Sequence, residues 1–326
     1  MTLKKIISNN KYYNCKMSRT LNGKTILVTG GTGFIGANVV EYLLNNTQDS
    51  NIVVLDRSLK ELNMVDNANV TYIKGLIEDK DTYDVLSAYS FDYVFHQAAV
   101  VDTTYTNEDI YDINVKSFEY LYALCLRSNA SLVYASSAAT YGNSPSPNIV
   151  GEGEEPLNMY GKSKLQMDML ARKYIEENKI PIVGLRYFNV FGPKENHKGN
   201  MASMIYKTFR NVENGNNTNL LKWGDQHRDF IYVKDVVQGN ICAALSGKSG
   251  VYNLGTGIPR NFTDMLKSIT ESMNASKVQV TYIDNPFVFF QTFTQADITK
   301  TRELGYEPKY TFEQGIADYI KDYYKK

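Results

Sequence analysis

Apolar and polar positions follow two rhythms over the first half of the chain. Thr25-Ile26-Leu27-Val28-Thr29 is a short, nearly unbroken apolar run, and further runs fall at 52–55, 70–73, 93–95 and 132–134. Between several of them apolar residues recur at helical spacing, as over 34–44 and 115–125. A strand with one face in water alternates apolar and polar side chains, so continuous runs predict strands covered on both faces. Alternation of such strands with helices predicts an α/β fold on a doubly wound parallel sheet.

The second half is less regular. One long helix is expected over 158–178, then the strand Ile182-Val183-Gly184-Leu185. Beyond Phe191-Gly192-Pro193 come shorter elements and polar loops, with 211–219 among the loops. Three segments are expected: an extension (1–20), the main sheet domain (21–185), and a smaller C-terminal substrate-binding region (186–326) interleaved with late sheet strands.

Composition narrows the function classes. In 326 residues, 43% hydrophobic and 21% charged side chains are ordinary for a globular protein and exclude global disorder. Thirty-five basic residues balance thirty-five acidic ones, which leaves no electrostatic footprint for nucleic acid or an anionic membrane. Three cysteines (Cys15, Cys125, Cys242) are odd in number, far apart and in no Cys-x-x-Cys spacing. That argues against a disulfide scaffold or thiolate zinc site and suits a reducing compartment. His96, His197 and His227 form no pair at metal-ligand spacing, so no metal is expected. Near the N-terminus Ile6-Ile7 is followed at once by Ser8-Asn9-Asn10-Lys11, too short an apolar stretch for a signal peptide or membrane span. The expectation is a cytoplasmic globular protein of enzyme size, with room for a local basic pocket that takes a phosphorylated small molecule.

Candidate chemistry begins after the first strand. Gly30, Gly33 and Gly36 in Thr29-Gly30-Gly31-Thr32-Gly33-Phe34-Ile35-Gly36 give the spacing G-x-x-G-x-x-G. Glycines there permit a tight turn, close backbone approach to a pyrophosphate, and placement of its charge at a helix N-terminus. A glycine triplet alone marks little more than a strand–helix turn. Here a strand precedes it, a helix follows, and Asp56 closes the second strand twenty residues after Gly36. An acidic group at that place accepts hydrogen bonds from an adenosine ribose. Arg57 follows at once, and a guanidinium can pair with a 2′-phosphate. Both NAD and NADP stay open.

Ala135-Ser136-Ser137 ends the fifth strand, at the carboxyl edge where such sheets bind ligands. Tyr160 and Lys164 open the long helix four residues apart, on one face. An ammonium beside a phenol lowers the phenol's pKa and makes Tyr160 a usable general base, with Ser137 orienting the same hydroxyl. With 25 tyrosines, Tyr-x-x-x-Lys by itself is a common accident. The glycine loop and the strand-end serines give it weight.

Seven motifs together carry a resemblance: the glycine loop, His96-Gln97-Ala98-Ala99, Ser136-Ser137, Tyr160-x-x-x-Lys164, Arg186-Tyr187-Phe188-Asn189, Arg228-Asp229-Phe230 and Asn253-Leu254-Gly255-Thr256-Gly257. From about Lys24 to the C-terminus the chain resembles the extended short-chain dehydrogenase/reductase family of nucleotide-sugar epimerases and dehydratases. The resemblance implies a Rossmann-like fold and tightly bound, recycled NAD or NADP. It also implies a nucleotide-sugar substrate and a homo-oligomer. Within the family the stretches at 134–142, 197–203 and 293–297 resemble the ADP-heptose 6-epimerases. That narrower resemblance implies inversion at C6 of ADP-D-glycero-β-D-manno-heptose, for lipopolysaccharide core assembly.

Residue roles follow from the resemblance alone. Tyr160 and Lys198 fall on the two catalytic positions. Phe34, Ile35, Asp56, Arg57, Gln97, Ala98, Ala99, Asn114, Lys164 and Val190 fall on cofactor contacts. Asn189, Asn200, Arg228 and Phe290 fall on substrate contacts, and Trp223 lies in the nucleotide-binding loop. By chemistry alone Lys198 is a solvated loop lysine. Gly75-Leu76-Ile77 departs from the commoner Gly-Asp-hydrophobic run, and Val288-Phe289-Phe290 from Gly-Arg-Tyr. Two rival readings stand beside this one. A 4-epimerase or 4-dehydrogenase, for example on GDP-heptose, keeps the fold and changes the carbon. A sensing module that holds NAD(P) without turnover has no need for Ser137, Tyr160 and Lys164.

Overall fold

The computed structural model describes residues 19–275, 278–284 and 291–324. Most of the expected extension and the expected substrate contact Phe290 lie outside the described residues. The chain opens with β1 (Thr25–Thr29), α1 (Phe34–Asn46), β2 (Asn51–Asp56), β3 (Val70–Lys74), α2 (Lys80–Leu86) and β4 (Tyr93–His96). The short α3 (Asp109–Tyr111) runs through a π turn (Asp112–Lys116) into α4 (Ser117–Ser128), and β5 (Ser131–Ser137) follows. Then come α5 (Met159–Glu177), β6 (Ile182–Tyr187), β7 (Asn189–Phe191), α6 (Met204–Glu213) and β8 (Thr218–Leu221). The last part holds β9 (His227–Arg228), β10 (Phe230–Tyr232), α7 (Val233–Ser246), β11 (Gly250–Leu254) and β12 (Arg260–Asn261). It ends with α8 (Phe262–Ser272), β13 (Val280–Ile283), α9 (Thr299–Arg302) and α10 (Phe312–Tyr323).

Seven strands form one sheet in the order β11-β6-β5-β4-β1-β2-β3, and every pairing in it is parallel. Both faces are covered. Ile26, Val28, Ile52, Val54 and Val133 join one buried cluster with α1 and α7, while Leu27, Val53, Leu55, Leu132 and Tyr134 join another with α4 and α5. Successive side chains of a strand point to opposite faces, so a strand that feeds both clusters is apolar throughout. The doubly wound parallel sheet read from the apolar runs is therefore present. Its strand order reverses between β1 and β4, which opens a crevice beyond their carboxyl ends.

A third cluster binds the later elements to the sheet domain. Phe191, Phe209, Phe230, Phe262 and Phe312 pack with Phe34, the first residue of α1. The helix that follows the glycine loop thus carries part of the C-terminal region's core. The expected loop over 211–219 is shorter than its polarity suggests. Asn211 lies in the last turn of α6, Thr218 and Asn219 begin β8, and β8 pairs in parallel with β13. Only Thr218 and Leu220 of that strand are buried, so four residues with two inward-facing positions carried too little pattern to be seen.

The long helix matches its expected span to the caps. Asn158 stands at the N-cap, where its side chain accepts from Gly161 N, and Asn178 closes the helix in the left-handed region at φ 51°. α5 lies against β5 and β6, and Gly184 of β6 makes room there. A Cβ at 184 would run into the ring and hydroxyl of the fully buried Tyr134. Gly184→Ala is expected to lower stability by about 1–3 kcal/mol through overpacking, read as a lower urea midpoint. An unchanged midpoint would show that Tyr134 yields.

Candidate active site

The crevice at the β1/β4 reversal is a cavity of about 560 Å³. Gly30, Gly33, Phe34, Ile35 and Gly36 form one wall, and Asp56, Arg57, Gln97, Ala98 and Ala99 line it further. Gly30 takes φ +66°, and a Cβ on it would fall 2.8 Å from Ala98 N. A Cβ on Gly36 would overlap the Gly30 carbonyl oxygen. Gly33 caps α1 with no side-chain hydrogen bond, and the first turn of α1 holds no acidic residue. The N-terminal N–H groups of α1 are therefore open to an anion at the glycine wall. These features fit a dinucleotide's diphosphate.

Asp56 is more engaged than the sequence implied. Its Oδ2 accepts from Thr32 N at 3.1 Å and Thr32 Oγ1 at 2.8 Å, and its Oδ1 accepts from Ser58 N at 3.2 Å. A carboxylate oxygen has two acceptor positions, so Oδ1 keeps one open while Asp56 also braces the glycine loop. Arg57 is exposed at the cavity wall and Lys60 is half-buried beside it.

Ser137, Tyr160 and Lys164 meet where β5 ends and α5 begins. Lys164 is buried, its Nζ donates to Ala135 O at 2.8 Å, and it lies 6.0 Å from the centroid of the Tyr160 ring. The expected lowering of the tyrosine pKa is not what the geometry produces. Desolvation pushes the Tyr160 hydroxyl up, and the hydrogen bond with Ser137 acts the other way without overcoming it. The ammonium is directed at the strand carbonyl instead. Burial pushes Lys164 down to about 8, while the carboxylate of Asp168, one turn along the same helix, opposes that fall. Asp168 is itself buried, accepting from Tyr134 Oη at 2.8 Å and Arg186 Nε at 2.8 Å.

Asn114 links this cluster to the cavity. It is fully buried, its Oδ1 accepts from Val100 N at 2.8 Å, and its Nδ2 donates to Val100 O and to Ser163 Oγ at 3.0 Å. Val100 lines the cavity, whereas Ser163 lies next to Lys164 in α5. Asn114 thus acts beneath the cavity wall as a brace. Gln97 donates to Asn240 Oδ1 at 3.1 Å and accepts from Tyr187 Oη at 2.9 Å, which fixes the end of β4.

The later candidates are spread along the C-terminal region. Lys198 is half-buried and lines the same cavity as the glycines, with its Nζ 5.3 Å from the centroid of the Phe34 ring. Ser137, Tyr160 and Lys164 are not among the residues that line it. Asn189 and Val190 lie on β7, paired with β10, and Asn189 and Asn200 are exposed. Arg228 is buried, donates to His227 O at 2.9 Å, and is pushed down to about 10 by burial. Trp223 is 67% exposed, with its ring 5.5 Å from Tyr282. It is no core indole.

Sequence reasoning missed Lys60, Asp102, Tyr105, His197 and Met201, all of which line the cavity. They come from irregular segments. Only the position of Lys60, in the loop just past Asp56, was a local signal. Among the described residues no helix is long and apolar enough to cross a membrane, and no cluster of His, Cys, Asp and Glu could hold a metal.

Comparison with known proteins agrees with this geometry. The profile of the NAD dependent epimerase/dehydratase family matches residues 26–255. The ADP-L-glycero-D-manno-heptose-6-epimerase of Helicobacter pylori is 38% identical, with a TM-score of 0.88 over 94% of this chain and 98% of that one. The UDP-N-acetylglucosamine 4-epimerase of Methanobrevibacter ruminantium, solved with UDP-N-acetylmuramic acid, is 29% identical. It superposes with a TM-score of 0.86 over 93% of this chain and 99% of that one. The Thermus thermophilus UDP-glucose 4-epimerase, solved with NAD, is 26% identical, with a TM-score of 0.80 over 92% and 99% of the two chains. The glycine wall, the parallel sheet and the extent of the profile match lead to one conclusion: this chain belongs to the NAD dependent epimerase/dehydratase family of enzymes.

Proposed function

We propose that the protein is a nucleotide-sugar epimerase that inverts C6 of ADP-D-glycero-β-D-manno-heptose to the L-glycero form. The observation that carries this reading is the 38% identity with the H. pylori enzyme over 94% of the chain. The cavity supports it by fitting a dinucleotide at the glycine wall, and Asn114 ties that wall at Val100 to Ser163, beside Lys164 in α5. NAD, when bound, supplies a hydride acceptor that can return the hydride to the same carbon. The chain's own residues do the rest. Tyr160 takes the proton of the sugar hydroxyl and gives it back, Ser137 orients that hydroxyl, and Lys164 keeps a positive charge beside them. Lys198 matches the family's second proton-transferring position, and a ketone presented by either face needs one donor on each side. Asn189, Asn200, Arg228 and Trp223 face the nucleotide sugar.

A second reading, a nucleotide-sugar 4-epimerase, is favoured by the TM-score of 0.86 with an enzyme of that activity. Assay of the purified protein with ADP-heptose and with UDP-glucose, with products read by NMR, separates the two. Turnover of UDP-glucose alone would remove the C6 assignment.

Three outcomes are expected. Tyr160→Phe should keep cofactor bound and lose roughly 10²–10⁴-fold in turnover, the usual worth of a general acid–base group. Near-normal turnover would remove Tyr160 from the chemistry. Next, C6 bears a hydroxyl and adjoins no carbonyl, so its hydrogen is not acidic and must travel as hydride. Turnover in D₂O should place no deuterium at C6, and solvent label there would refute the hydride route. Finally, the Lys164 ammonium should titrate near 8, followed through its ¹³Cε resonance. The groups that face it are Tyr160 and Asp168 on α5 and His96 on β4, with Arg186 of β6 bonded to Asp168. Asp168→Asn removes the anion that favours the charged form, so the midpoint should move to lower pH, with the alkaline loss of activity following it. A midpoint at the ordinary lysine value in the unaltered protein would contradict this account.

A further inference from the structure

The strand that carries Arg228 changes partners in mid-course. β9 (His227–Arg228) pairs antiparallel with β12, whereas β10 (Phe230–Tyr232) pairs in parallel with β7. Asp229 is the single residue between them. Across the junction Asn189 N donates to Asp229 O at 3.0 Å. A further segment runs alongside, because His227 N donates to Thr292 O at 3.0 Å and Thr294 N donates to His227 O at 3.2 Å.

Where a strand leaves one neighbour for another, backbone groups around the step lose their ladder partners and need others. The carboxylate of Asp229 supplies them. Its Oδ1 accepts from Thr256 N at 2.8 Å and Thr256 Oγ1 at 2.7 Å. Its Oδ2 accepts from Gly257 N at 2.8 Å and Ala296 N at 3.0 Å. Asp229 has no exposed surface, and a Cβ on Gly255 would fall 2.8 Å from its Oδ2. All four partners are donors. An ionised carboxylate accepts four such bonds while offering none, whereas an amide of the same shape would set its NH₂ against N–H groups. Burial pushes the Asp229 carboxyl up, and the bonds from Thr256, Ala296 and Gly257 act against that rise.

Arg228 takes its direction from this junction. Its Nη1 donates to His227 O at 2.9 Å, and its guanidinium lies 5.9 Å from the centroid of the Phe262 ring. Phe262 follows β12 directly, so both supports move with the β9–β12 pair. We propose that Asp229 is a positioning residue for the sugar nucleotide, locking the strand junction so that Arg228 meets the substrate's diphosphate, without touching the substrate itself. This rests on the reading of the protein as a nucleotide-sugar epimerase, and not on which carbon is inverted. A carboxylate bonded to two separate loops cannot shift without stranding a buried charge, which makes the junction rigid. The diphosphate lies away from the reacting carbon, so its contacts persist from substrate through to product. Misplacing Arg228 therefore weakens binding throughout the cycle, which raises KM and leaves kcat alone.

The test is steady-state kinetics of the NAD-loaded, full-length protein with ADP-D-glycero-β-D-manno-heptose and with UDP-glucose. Asp229→Asn should raise KM for the accepted substrate roughly ten- to a hundredfold, the worth of one hydrogen bond to a charged group, with kcat within about twofold. Thr256→Val removes one of the four bonds and should raise KM roughly three- to tenfold, while Thr256→Ser should restore it. In an Arg228→Ala background the effect of Thr256→Val should shrink to within about twofold, because the two act through one contact. The Thr256 variants decide the matter if Asp229→Asn does not fold. KM unchanged in Thr256→Val, or its full effect persisting without Arg228, would make Asp229 a structural brace and overturn the proposal. A fall in kcat at unchanged KM would overturn it too. In each of these cases the unaltered protein still turns over, so the epimerase reading stands. Turnover of neither substrate by the unaltered protein would overturn both.

Discussion

Arg186 is the interaction on which the site's geometry depends. It sits in β6 with no exposed surface, and a guanidinium cannot shed its charge to escape burial. Its Nε donates to Asp168 at 2.8 Å, its Nη2 donates to Glu154 at 2.6 Å, and its guanidinium lies 4.7 Å from the centroid of the Tyr141 ring. Glu154 also takes two bonds from Arg172 of α5 and is held at about 2, because these cations outweigh its burial. One strand, the loop before α5 and α5 itself are thereby fixed in a single arrangement. Removing one partner of such a buried set leaves an uncompensated charge and costs about 3–5 kcal/mol. Tyr160 and Lys164 occupy the first turns of α5, so their places are set by charges they do not touch.

The same charges shape the electrostatics above them. Asp168 sits between Arg186 and Lys164 and favours the charged form of the lysine. His96, on the neighbouring β4, is pushed down to about 3 by burial and by Lys164, and so stays neutral. Its Nδ1 is paired with Thr29 Oγ1 at 2.8 Å. Of Lys164, His96 and Tyr160, crowded at the ends of β4 and β5, only Lys164 is poised to titrate near neutral pH. The phenol of Tyr160, by contrast, is held protonated by its surroundings. On the proposed reading its ionisation belongs to the moment of proton transfer rather than to the resting protein.

Much of this could be read from the chain, and the reason is range. Strands β1 to β6 and the limits of α5 are written in runs of neighbours and in two asparagine caps. The glycine wall is equally local, since its geometry comes from Gly30, Gly33 and Gly36 alone. What stayed hidden depends on residues far apart in sequence. The Arg186–Glu154 bond joins positions 32 apart, and the Asn63–His197 contact joins positions 134 apart. No periodicity reports such pairs. The resemblance supplied Lys198 but not its neighbours His197 and Met201 in the cavity wall. The expected effect of Lys164 on Tyr160 failed for a related reason. Helical spacing places two residues on one face, but it does not say where an ammonium will find its acceptor, and here that is the carbonyl of Ala135.

The two sides of the site differ in how firmly the chain encloses them, and on the proposed reading, inversion at one carbon, that difference is useful. The cofactor side is walled by the glycine loop, the ends of β2 and β4, and the distant segment that carries His197, Lys198 and Met201. The residues matched to the sugar nucleotide are mostly exposed: Asn189, Asn200 and the Trp223 indole. An enzyme that oxidises a sugar carbon and then reduces it from the opposite face must keep its dinucleotide still while the sugar turns. Contacts shared between two distant parts of the chain favour the first requirement, because both must move before the cofactor can leave. Exposed polar groups favour the second, because a sugar held by them can exchange hydrogen bonds with water as it rotates.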